Sequence, residues 1–140
     1  MQPFSITIQT NLFLVDFNNE TYEEIAIALY KEFNKRFKKT KLNDIFDVEV
    51  YWRKGCIVED FVLIFKDEEL IKLWNEKKNS FIKTQDYIKI KEELEKLTIN
   101  LEDVSIKFNG ITITIFKCML SRHTYVPNKI NMKLARAVML

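Results

Sequence analysis

FDVEVYWRKGCIVEDFVLIF, running from Phe46 to Phe65, is the stretch that decides the fold. Phe46, Val48, Val50 and Trp52 alternate with Asp47, Glu49 and Tyr51, the two-residue period of a strand that buries one side. Arg53-Lys54-Gly55 interrupts the alternation, and Cys56 to Phe65 follows as an almost continuous β-forming run. The pattern predicts a hairpin whose second strand lies centrally in a sheet.

Working outward toward the N-terminus, Phe4, Ile6 and Ile8 alternate with Ser5, Thr7 and Gln9, and Leu12 to Phe17 continues the apolar character. This predicts a first strand over 4–17, bent near Thr10. Thr21-Tyr22-Glu23-Glu24 has capping-box spacing, with the Thr21 hydroxyl placed for the first-turn amides and Glu24 placed to reach back. The helix that starts there has Tyr22, Ile25, Leu29, Phe33 and Phe37 on one side. Acidic residues at its start and basic residues at its end complement the helix dipole.

Toward the C-terminus, Asp67 to Lys78 reads as a short helix with Leu70, Ile71 and Trp74 inward. Thr84 to Leu97 reads as another, with Tyr87, Ile90, Leu94 and Leu97 on one side. Val104, Ile106 and Phe108 alternate into Asn109-Gly110, and Ile111, Ile113 and Ile115 alternate out of it, a strong hairpin signal. The two glycines, Gly55 and Gly110, both fall in expected hairpin turns. The fold class that results is α+β: a ferredoxin-like βαββαβ sandwich with an antiparallel sheet, helices on one face and an extra C-terminal hairpin strand.

The chain has 140 residues, enough for one domain, and at 47% hydrophobic it has ample material for a core. We assign 1–118 to that domain and 119–140 to a basic tail, since 104–140 hold six of the basic residues and none of the acidic ones. The net charge of +2 is too small to argue for nucleic acid. No apolar run approaches the roughly 18 residues of a membrane span. Met1-Gln2-Pro3-Phe4 shows no secretory leader, so an extracellular domain would be a piece of a longer protein.

The ferredoxin-like order serves many functions, but several stretches narrow it. Asn11 to Asn19, Leu42 with Ile45-Phe46, the turn segment Tyr51 to Phe61, Leu97-Thr98-Ile99 and Asp103 to Ile106 follow one another in an order and spacing that resembles the SEA domains of cell-surface and mucin-like proteins. The resemblance covers roughly 4–108, and the hairpin after Asn109 and the tail match nothing in that family. It implies an extracellular or cell-surface module, a stalk or cleavable joint near a membrane. Many SEA domains cleave themselves in the turn between the second and third strands, where a Ser attacks the carbonyl of the Gly before it. The resemblance places that bond at Gly55-Cys56, with Cys56 standing where the family has Ser. A small apolar residue opening a strand is the plainer role for Cys56.

Asn19-Glu20-Thr21 is a glycosylation sequon before the first helix. His123 is the single histidine, and no spacing of His, Cys or carboxylates suggests a metal site. Trp52, Arg53, Lys54 and Phe61 near the sheet centre raise an RNA-recognition reading, which Glu59-Asp60 in the adjoining strand opposes. Glu68-Glu69, Glu92-Glu93 and Lys35 to Lys41 read as solvated helix surfaces. The expectation is therefore no cofactor, no metal, no nucleic acid, no small-molecule substrate and no enzymatic activity beyond self-cleavage. A protein partner or self-association through the sheet is expected instead. The alternative is a cytoplasmic ferredoxin-like adaptor or sensor that binds a protein through its sheet. Cys56 and Cys118 are both expected to be unpaired thiols.

Overall fold

The computed structural model describes residues 3–12, 17–53, 57–121 and 128–129. Its elements in chain order are β1 (Phe4–Thr10), α1 (Asn19–Phe37), α2 (Leu42–Ile45), β2 (Phe46–Arg53), β3 (Val58–Phe65), α3 (Glu68–Glu76), α4 (Lys78–Phe81), α5 (Gln85–Leu101), β4 (Ser105–Phe108), β5 (Ile111–Ser121) and β6 (Asn128–Lys129). The strands form one sheet in the order β4-β5-β1-β3-β2-β6, and every neighbouring pair is antiparallel. The α+β class and the antiparallel sheet agree with the sequence reading.

The hairpin that decided the fold pairs without a slip. Phe46 lies opposite Phe65 and Arg53 opposite Val58, so Phe46, Val50 and Trp52 share a side with Phe65, Phe61 and Glu59. The pairing of Ile6 with Phe61 puts Phe4, Ile6 and Ile8 on that side as well. Both long helices cover it. From α1, Phe33 stacks on Phe61 with centroids 4.0 Å apart, and from α5, Tyr87 stacks on Phe4 at 5.4 Å. Phe33, Val50, Phe61, Leu63, Leu94 and Val104 are all buried in this layer, as the periodicities require. A phenylalanine placed like Phe61 typically carries about 3–5 kcal/mol against truncation to alanine.

Four expectations change. On the side of β1 away from β3 lies β5, the strand expected as the extra one, whereas β4, which the βαββαβ order makes the fourth strand, lies outside β5 at the sheet edge. Length explains the exchange: β5 has 11 residues and pairs with β4 through Ile111 to Thr114, then with β1 through Ile115 to Ser121. A register shift at Gln9/Thr10 steps the pairing from Lys117 to Ile115, a bulge at Phe116 that lets β5 bend from one neighbour to the next. Secondly, the cap of α1 is Asn18, whose Oδ1 accepts from the Thr21 amide at 2.8 Å, so Thr21 is already inside the helix. Thirdly, β1 stops at Thr10, short of the expected 17; the Thr10 hydroxyl accepts from the Leu12 amide at 3.4 Å, and 13–16 lie outside the described residues. Fourthly, Ile71 is 36% exposed, because α3 turns Trp74 inward and leaves Ile71 on its outer side.

The region 67–101 is three helices, with Thr84 capping α5 through its hydroxyl, which accepts from the Tyr87 amide at 3.2 Å. The sheet also continues past Cys118: β5 runs to Ser121, and Asn128 and Lys129 pair with Trp52 and Tyr51 at the opposite edge.

Candidate functional site

The end of the β2–β3 hairpin is where the sequence reading and the unusual chemistry of the structure meet. Arg53 and Val58 are the last paired residues, and Gly55 and Cys56 lie outside the described residues. Ile57, which leads into β3, has φ of 46°. A β-branched side chain in left-handed backbone is a genuine outlier, since its Cβ crowds the following carbonyl. Two contacts hold Ile57 there. Its side chain is 0% exposed within the core, and its carbonyl accepts from the Thr10 amide at 3.3 Å.

Two residues farther on, Glu59 is also 0% exposed, and neither carboxylate oxygen has a hydrogen-bond partner. It lies between Ile8 of β1 and Trp52 of β2, on the helix-covered side. Tyr22 of α1 stacks on Trp52 at 6.1 Å, which roofs this corner with aromatic surface. Burial pushes the Glu59 carboxyl well above the usual carboxylate range, and the adjacent Asp60 charge pushes the same way. The sequence carried the signal: Glu59 has the parity of Phe61, Leu63 and Phe65, so it had to enter the core with them.

Asp60 points to the other side of the sheet, where the Thr7 hydroxyl donates to its Oδ1. Beside it on that side, the Tyr51 hydroxyl donates to Glu49 Oε2 at 2.6 Å, and this bond, helped by partial burial, raises the phenol to about 12. Ser5, Asp60 and Val62 are buried on this side as well.

The remaining candidates are scattered. Asn19 is the exposed first residue of α1, so its amide faces solvent. Cys118 is a free thiol opposite Ile8, half-buried and raised to about 12 by burial and by the Glu102 charge. His123 lies outside the described residues. Among the described residues no cluster of His, Cys and carboxylates could hold a metal ion, and no helix is long and apolar enough to cross a membrane. Trp52 and Phe61 are core residues, so they form no open platform for bases. A groove of about 500 Å3 between the end of α1, α2 and α5 mixes Lys39, Lys41 and Lys89 with Glu92 and Glu93 and contains no nucleophile paired with a base. No protein family, curated protein or solved structure matches the chain.

Proposed function

We propose that this chain is an extracellular structural module of the SEA type, whose β2–β3 turn is a joint descended from self-cleaving turns. The finer architecture that this reading needs is the ferredoxin-like one, and the run β5-β1-β3-β2 with α1 and α5 on one side supports it when β5 takes the fourth place. The observation that carries the reading is Ile57: left-handed backbone, held by burial, directly after Gly55-Cys56.

The chemistry asked of such a turn is an acyl shift. The nucleophile of residue 56 attacks the Gly55 carbonyl carbon, the Gly55–Cys56 C–N bond breaks, and the amine of residue 56 is released as it takes up the proton of the nucleophile. Water then opens the ester, or the thioester in the case of Cys56, leaving a Gly55 carboxylate. Strain of about 1–3 kcal/mol in a left-handed residue corresponds to roughly fivefold to 150-fold in rate if the transition state releases it. That helps a good nucleophile in the right place and does not replace a base. The fragments would stay joined through the unbroken β2–β3 ladder, which pairs from Phe46 to Arg53. A protein partner would meet the sheet, where Phe116 and Met119 are 61% and 45% exposed.

The extracellular assignment is tested by directing the domain through the secretory pathway of cultured cells behind an added leader. The expected product is folded, protease-resistant and glycosylated at Asn19, with the glycan mass lost in Asn19→Gln. A chain that is retained and aggregated, or secreted without a glycan, would favour the cytoplasmic adaptor instead.

A further inference from the structure

A carboxylic acid with no partner inside an apolar corner is a demand on the surroundings, and Glu59 makes that demand near the end of the β2–β3 hairpin. We propose that Glu59 is a proton-operated latch: as a neutral acid it lets the start of β3 lie in the core, and loss of its proton drives Val58 to Asp60 out of register with β1 and β2. The inference does not depend on the SEA reading.

The geometry carries it. The side chain is 0% exposed and both oxygens lack partners. Its cross-strand neighbours are Ile8 and Trp52, neither of which titrates. Beyond Ile8, on β5, the same row of the sheet holds Cys118, whose thiol stays neutral through the physiological range. From α1, the phenol-bearing Tyr22 reaches this corner by stacking on Trp52. Within β3, Asp60 points to the opposite side and bonds Thr7. Burial and the Asp60 charge both oppose a second negative charge, and among the described residues no cation offsets them. An ionised, unpaired carboxylate is therefore incompatible with this corner, and the chain must either keep the proton or open.

The sign follows from linkage. The folded chain holds a proton on Glu59 that the unfolded chain releases above the ordinary glutamate range, so stability is fully present at acidic pH and falls as pH rises toward the folded value. Over that window the unfolding equilibrium constant should rise about tenfold per pH unit from this group. Residues far from Glu59 add their own dependence, and comparison with variants removes it.

The test is urea unfolding of the full chain from mildly acidic to alkaline pH, for the unaltered protein, Glu59→Leu and Glu59→Gln. The expected result is that both variants lose the tenfold-per-unit component, with Glu59→Leu the more stable because it leaves no buried polar atom. Glu59→Gln decides the matter if Glu59→Leu fails to fold. Asp60→Asn should end the window at lower pH, because removing the like charge makes ionisation of Glu59 easier. In the unaltered protein, NMR of 13Cδ-labelled glutamate should show one side chain still protonated at neutral pH. Variants that keep the full slope, or a spectrum with every glutamate ionised at neutral pH, would overturn the latch.

Discussion

The β2–β3 and β4–β5 hairpins both take the chain through left-handed backbone, and they recruit opposite kinds of residue to do it. At the β4–β5 end, Phe108 pairs with Ile111 across Asn109 and Gly110, whose φ values are 50° and 78°. Asn and Gly adopt that geometry at little cost, and both are exposed, so nothing else is needed to hold the turn. At the β2–β3 end the left-handed residue among those described is Ile57, a β-branched side chain poorly suited to it, and the core compensates by enclosing that side chain completely. Asn109-Gly110 is set by local preference and Ile57 by tertiary packing. A residue whose conformation is imposed by packing is the one able to store strain, and Ile57 directly follows Cys56 in the chain.

The contrast can be broken by substitution. Ile57→Ala should cost about 2–5 kcal/mol in chemical denaturation, because it empties a fully buried site while keeping the strained backbone. The sharper form compares Ile57→Gly with Ile57→Ala. Glycine is ordinarily worse than alanine by about 0.5–1 kcal/mol in ordered structure. Alanine in left-handed backbone bears about 1–2 kcal/mol that glycine escapes. The glycine variant should therefore be at least as stable as the alanine variant; the ordinary order would show that Ile57 is not held left-handed. At the other hairpin Gly110→Ala should cost about 1–2 kcal/mol from backbone conformation alone, since an added Cβ there meets nothing within 4 Å.

How far the sequence speaks differs in the same way between the two ends. Asn109-Gly110 announced its turn, and the alternation from Phe46 to Trp52 announced its strand, because both are local preferences that the final structure obeys. The neighbour of β1 was not legible: Ser105 and Ile111 begin strands of equal alternation, and only the length of β5 and its bulge at Phe116 decide which reaches β1. The cap of α1 was misplaced by three residues because Asn18 and Thr21 are both good caps and local spacing alone does not rank them. The inward place of Glu59 is legible in the sequence. Its parity with Phe61 places it inward, but a charged residue reads as a surface residue unless the period is followed against its chemistry. The strain at Ile57 had no signal in the sequence, since burial imposes it.

The central claim, that the β2–β3 turn is a loaded joint, is tested most directly by the mass of the denatured Cys56→Ser chain beside the unaltered chain and Cys56→Ala. The account expects the unaltered chain and the alanine variant to remain whole, and the serine variant to yield fragments 1–55 and 56–140 that separate only on denaturation. A serine variant that stays intact would contradict it and leave the hairpin a purely structural role.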